Sequence, residues 1–269
     1  MEEINIPRRW SELSYTGETR VPASIAARAG SWPTFFLRHN SSGEFIDAKG
    51  NPISFAIRQP DSFSFDEQLS AVKNVLNSIT QDQIKIAKYW GEGPAAKQWV
   101  PIVDILIDAY HIGSPWAERI WGATQAGAND AMVVTWHLKY LWDVARPNQL
   151  DQNLTTILPT PKHPSYPAGH AVVAGCYQAI LSYFFTPEAE RLGQLAEECT
   201  VSRLYAGVHY PADLEQGLRL GRQIGSLVTA VLEGHQDMDN VRIDYPIING
   251  LHAKLPPPPY EQVIHIPNI

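Results

Sequence analysis

Cysteine is nearly absent from this sequence: Cys176 and Cys199 are its two thiols in 269 residues. Two thiols build no disulfide framework, so both are expected to be reduced and partly buried. Basic charge is in deficit, with 21 Lys+Arg against 28 Asp+Glu and a formal net charge of −7. That balance argues against general binding to nucleic acid or anionic membranes, but it allows a local cationic pocket. Long apolar runs are missing too. The longest, from Ala171 to Phe185, is broken by Gln178 and Ser182 and falls short of the roughly 20 residues of a membrane span. The start, MEEINIPRRW, has no basic stretch followed by an apolar one, as a secretory signal would. The chain therefore reads as a cytoplasmic protein that is not membrane-embedded. Its hydrophobic share of 44% is enough for a sizeable core.

What is present is mostly helical pattern. Residues 1–62 are rich in Pro, Ser, Gly and Asn and hold no helical period, so they are expected to form an irregular N-terminal arm packed on the body. Its aromatics, including Trp32, Phe35 and Phe36, point to packing. Ile53 to Ile57 alternates and predicts a short strand. From Phe65 the period changes, with Leu69, Val72, Val75 and Leu76 at helical spacing behind Asp66 and Glu67. Further helices are predicted over QDQIKIAKYW, Val100 to Tyr110, Trp116 to Ala145 with a break near Gly127, His170 to Phe185, Pro187 to about Arg203, and Pro211 to about Glu233. Residues 236–269, with their LPPPPY run, read as an extended surface strap. The fold class is all-α, a helical bundle over residues 63–235.

Three segments carry chemistry. In KYLWDVARP, Lys139 and Arg146 lie seven residues apart. On one helix that is two turns, about 10 Å along one face, so both could point into one pocket. In HPSYPAGHAVVAG, a proline loop leads directly into an apolar helix. The free N–H groups around Gly169 and His170 then form an anion cradle at the positive end of the helix dipole. In SRLYAGVHYPAD, Arg203 precedes His209 by six residues, and Asp213 follows His209 by four. Asp213 can hold one ring nitrogen of His209 and leave the other as a directed lone pair. Taken singly, each segment also fits a solvated stripe, a capped loop or a helix-start hydrogen bond. Together, three cations, a helix start and two histidines suit the binding of an oxyanion. Carboxylates are too few beside this much positive charge for a divalent metal to be the expected neutraliser.

With these residues in place, the chain resembles the superfamily that joins type 2 phosphatidic acid phosphatases, bacterial acid phosphatases and vanadium-dependent haloperoxidases. That family's pattern is Lys-x6-Arg-Pro, then Pro-Ser-Gly-His, then Ser-Arg-x5-His-x3-Asp. Lys139, Arg146 and Pro147 match the first block, Pro167, Gly169 and His170 the second, and Ser202, Arg203, His209 and Asp213 the third. The match spans roughly Trp116 to Gly225. Ala168 departs from it, standing where the family has a serine that donates to an oxyanion oxygen.

The resemblance implies a bundle of the acid phosphatase/vanadium haloperoxidase type, and a metal-independent phosphatase acting on a small-molecule phosphoester. His209 would attack phosphorus to form a phosphohistidine, Asp213 would orient it, and His170 would protonate the leaving oxygen and then activate water. Lys139, Arg146, Arg203 and the Gly169 amide would hold the equatorial oxygens. No cofactor is needed for that reaction. The alternative is a haloperoxidase carrying vanadate on His209. Trp136 and His163 favour it, as they resemble residues flanking the halide region, and with Ala168 they are expected to line the pocket. HYPAD and the short chain favour the phosphatase. A non-catalytic oxyanion-binding relative is a further alternative. The arm is expected to cover the site or to form a homodimer contact.

Overall fold

The computed structural model describes residues 7–250 and 252–262. It is mostly helical, at 54% helix and 4% strand, as expected for the all-α class. The first six residues, which carried the reading of the N-terminus, lie outside the described part.

Local chemistry sets the helix starts. Ser64 accepts from the Glu67 amide to begin α1 (Phe65–Asn77), and Thr80 and Gln83 form a capping box at α2 (Gln81–Gly91). Proline sits in the first turn of α3 (Val100–Ala109) and α4 (Ser114–Trp142). The helix α4 runs 29 residues without the break expected near Gly127. A Cβ at Gly127 would stand 2.5 Å from Ile180 Cδ1. That glycine therefore serves close packing rather than a kink.

The helix also ends earlier than its pattern suggested. Asp143, at φ 49°, closes α4 as a left-handed C-cap. Val144 and Ala145 continue extended, where Arg8 O accepts from the Ala145 amide and Val144 O from the Ser165 amide. Arg146 is the N-cap of the short α5 (Pro147–Leu150). Lys139 and Arg146 thus do not share a helix face, because β-type pairing with the arm and the proline loop captures the backbone between them.

The centre of the bundle is α6 (Gly169–Phe184), packed by α4, by α7 (Ala189–Tyr205) and by α8 (Pro211–Glu233). Its fully buried residues include Val172, Ala174, Cys176 and Ile180. The backbones of α6 and α8 nearly touch, and a Cβ at Gly221 would lie 2.0 Å from Val172 O. This contact fixes the N-terminal ends of both helices side by side.

The arm holds one two-residue antiparallel pair, β1 (Arg38–His39) with β2 (Phe45–Ile46), and short 3-10 turns. No strand forms over Ile53–Ile57. The Gln223 side chain takes those backbone groups instead, accepting from Ala56 N and donating to Ser54 O. The arm is pinned to α4 by the buried Asp130 carboxylate, which accepts from the amides of Phe35, Phe36 and Leu37. Phe36 packs on the core, whereas Trp32 and Phe35 turn outward, 53% and 71% exposed. The tail is strapped down through Glu188, which accepts from Ala253 N, and Glu198, which accepts from the Tyr260 hydroxyl. Among the described residues, no helix is long and apolar enough to cross a membrane.

Candidate active site

The first turn of α8 builds one half of the site. Asp213 is its third residue, and its Oδ2 accepts from the Tyr210 amide at 3.0 Å, which satisfies a donor at the helix start. The same oxygen accepts from His209 Nδ1 at 2.8 Å and from Ser165 Oγ at 2.5 Å. Asp213 Oδ1 is buried and has no hydrogen-bond partner. Nδ1 therefore carries the imidazole proton, and Nε2 of His209 is the lone pair. Arg146 Nη1 lies 3.0 Å from that Nε2 and donates to it.

The first turn of α6 builds the other half. Gly169 and His170 open the helix behind the N-cap Ala168, whose own amide donates to Asp213 O. His170 Nε2 is out of solvent and bonded to nothing. Arg203, in the last turn of α7, is 2% exposed, and its Nε and Nη1 have no acceptor. Arg203 Nε and Nη1 and His170 Nε2 are thus buried polar atoms at the cavity without a protein partner, the kind of group that a ligand can complete.

These groups meet in a cavity of about 830 Å³. Gly169, the neutral imidazoles of His170 and His209, and the Arg203 cation form its floor. Met132, Trp136, Leu158 and three prolines form an apolar wall, with Glu92 at the rim. Trp136 and His163 both line it, with ring centroids 4.7 Å apart.

Three expected residues do not line the cavity. Lys139 is fully buried, and its Nζ donates to the carbonyls of Pro164 and Ser165 at 2.8 and 2.6 Å, bracing the proline loop from behind. Arg146 is also buried, spread over Val208 O, His163 O and Nδ1, and His209 Nε2. Ala168 turns its methyl into a small cluster with Ala171 and Leu214. An extended N-cap backbone points that side chain at α8 rather than into the cavity.

Electrostatics follow from burial. Desolvation, reinforced by Arg146 and Lys139, holds His209 well below the usual imidazole range. Desolvation and Arg203 do the same to His170, and desolvation and Lys139 to His163. All three are neutral at pH 7. Burial lowers Arg203 to about 10, which still leaves it charged. Burial raises the Asp213 carboxyl, against the Ser165 hydroxyl, the Tyr210 amide and the cations Lys139 and Arg146, which lower it. Cys199 is pushed up to about 12 by burial, so it stays an inert thiol beside the site.

Two contributors carried no sequence signal of their own. Ser165 is one serine in a proline loop, and only the fold brings it to Asp213. Gly91 ends α2 against Arg203, 112 positions away in the chain.

Residues 123–236 match the family model of the PAP2 superfamily. A vanadium-dependent bromoperoxidase from Corallina pilulifera is 34% identical over 92 residues, which cover 24% of this chain and 15% of that protein. A decaprenylphosphoryl-5-phosphoribose phosphatase from Mycobacterium tuberculosis is 28% identical over 125 residues, 46% of this chain and 68% of that one. In fold, the chain is similar to a bacterial vanadium-dependent iodoperoxidase, with a TM-score of 0.65 and 22% identity. That likeness covers 82% of this chain and 60% of the iodoperoxidase. The chain therefore spans less than two thirds of either peroxidase.

Proposed function

We propose, from the match of residues 123–236 to the PAP2 superfamily model, that the chain hydrolyses phosphomonoesters through a phosphohistidine on His209, without a metal. The observation that supports this reading is the cavity floor. Arg203 Nε and Nη1 and His170 Nε2 are buried donors or acceptors without partners, beside an imidazole whose tautomer Asp213 fixes. A phosphoryl group supplies the missing acceptors and the missing negative charge.

In this reading the equatorial oxygens lie against Arg203 and the amides at the start of α6. Arg146 shifts its Nη1 from His209 Nε2 to an oxygen of the anion, which frees the lone pair for attack. Lys139, held well below the usual lysine range by burial and by Arg146, braces the loop that carries Ser165. The N–P bond forms as the P–O bond to the leaving alcohol breaks, and the leaving oxygen takes a proton from His170. That proton must be loaded first, since His170 is neutral in the free protein. The negative charge of the bound ester raises the affinity of His170 for it, and an ester bound as the monoanion brings one. In the second step His170 takes a proton from water as the water oxygen attacks phosphorus and the N–P bond breaks. The test is hydrolysis of p-nitrophenyl phosphate in EDTA, with inhibition by vanadate. No turnover at any pH from 4 to 9 would remove this reading.

Trp136 tilted against His163 at the cavity wall favours a second reading, a haloperoxidase with vanadate at the same floor. The donor set fits such a group: Arg203 and the α6 amides for its oxygens, and His209 Nε2 as its ligand. Vanadate there would activate hydrogen peroxide toward halide. Bromination of an organic dye by vanadate-loaded protein supports this second reading, and a flat trace discards it.

A further inference from the structure

Arg203 is a buried cation without a carboxylate partner, and its guanidinium is packed against the end of α2. Its Nη1 lies against the backbone of Gly91, the last residue of α2. The C-terminal end of a helix carries partial negative charge on its free carbonyls, so the guanidinium sits where the α2 dipole favours a cation. The approach is so close that a Cβ at Gly91 would stand 2.0 Å from Arg203 Nη1 and 2.4 Å from Leu158 Cδ1. Both atoms are the far ends of side chains. A methyl group there is accommodated by moving the guanidinium and turning the Leu158 methyl, both flexible side-chain ends, at little expense to the fold.

We propose that Gly91 is a positioning residue for anion recognition, and that its missing side chain sets how deep the Arg203 guanidinium reaches into the cavity. The proposal rests on the reading that Arg203 binds the oxyanion. Gly91 acts through Arg203 and makes no bond to the anion itself. Glycine is needed here for space, since its backbone is ordinary helix.

The experiment titrates orthovanadate and, separately, inorganic phosphate into the full chain by calorimetry. It compares the wild type, Gly91→Ala, Arg203→Ala and the double variant, with melting temperatures measured without anion. Gly91→Ala is expected to weaken vanadate roughly ten-fold or more, the equivalent of one charge-assisted hydrogen bond, and to melt within a few degrees of the wild type. In the Arg203→Ala background, Gly91→Ala should change affinity less than two-fold, because the group it displaces is gone. Wild-type affinity in Gly91→Ala, with a loss in Arg203→Ala, overturns the role of Gly91 and leaves the oxyanion reading standing. Equal, additive losses in the two backgrounds also overturn it, since a general disturbance of the site would give them. Unchanged affinity in Arg203→Ala overturns both.

Discussion

Three donors converge on a single carboxylate oxygen, Asp213 Oδ2. It fixes His209 in one tautomer with Nε2 toward the cavity. His209→Ala is expected to abolish turnover of p-nitrophenyl phosphate while the circular dichroism spectrum stays that of the wild type. A variant keeping most of the rate would exclude His209 as the nucleophile. Ser165→Ala tests the support behind it. The Asp213 carboxylate would keep His209 but lose its shortest donor, so kcat should fall roughly ten-fold, as for a lost hydrogen bond to a charged group, with KM nearly unchanged. A change confined to KM would place Ser165 in substrate binding instead.

At the scale of elements, the site is the meeting of helix ends. The starts of α6 and α8 bring Gly169, His170 and Asp213 together, and the ends of α7 and α2 bring Arg203 and Gly91. The α6–α8 contact sets this arrangement, and Gly221 is its tightest point. Gly221→Ala would force the backbones apart, since Val172 O is backbone and cannot swing away. A loss of about 1–3 kcal/mol or more is expected from denaturant titration, as for other overpacked cores, and vanadate affinity should fall with it. A variant as stable as the wild type would mean that the helices have room to separate.

At the scale of the whole molecule, three neutral imidazoles share one cationic region. Folding holds His163, His170 and His209 below their ordinary values, first through burial and then through the surrounding cations. Below about pH 6.5 the unfolded chain takes up protons that the folded chain refuses. Stability of the anion-free protein is therefore full above that pH and falls as pH drops through it. A bound dianion reverses the local field. Phosphate should restore part of the acid-side stability, and its binding near pH 7 should take up protons, seen as a dependence of the calorimetric heat on the ionisation enthalpy of the buffer. Melting temperatures that stay flat from pH 7.5 to 5.5 without anion would contradict this account.

The sequence by itself determined the helices, their order and several of the side chains that line the cavity, among them His170, Arg203 and His209. Periodicity, caps and prolines act over a few residues, and the spacing of His209 and Asp213 is one helical turn. It also carried the superfamily resemblance, in motifs that stay together along the chain. Only tertiary structure decided where α4 stops, because the arm competes for the backbone around Val144, and hence that Arg146 reaches His209 from a loop and not from the helix of Lys139. Only tertiary structure sent Lys139 to two carbonyls, turned Ala168 into the core, and placed Ser165 and Gly91 beside groups far away in sequence. Such contacts depend on how helices pack, and packing is set by volumes summed over the whole core, which no local pattern records.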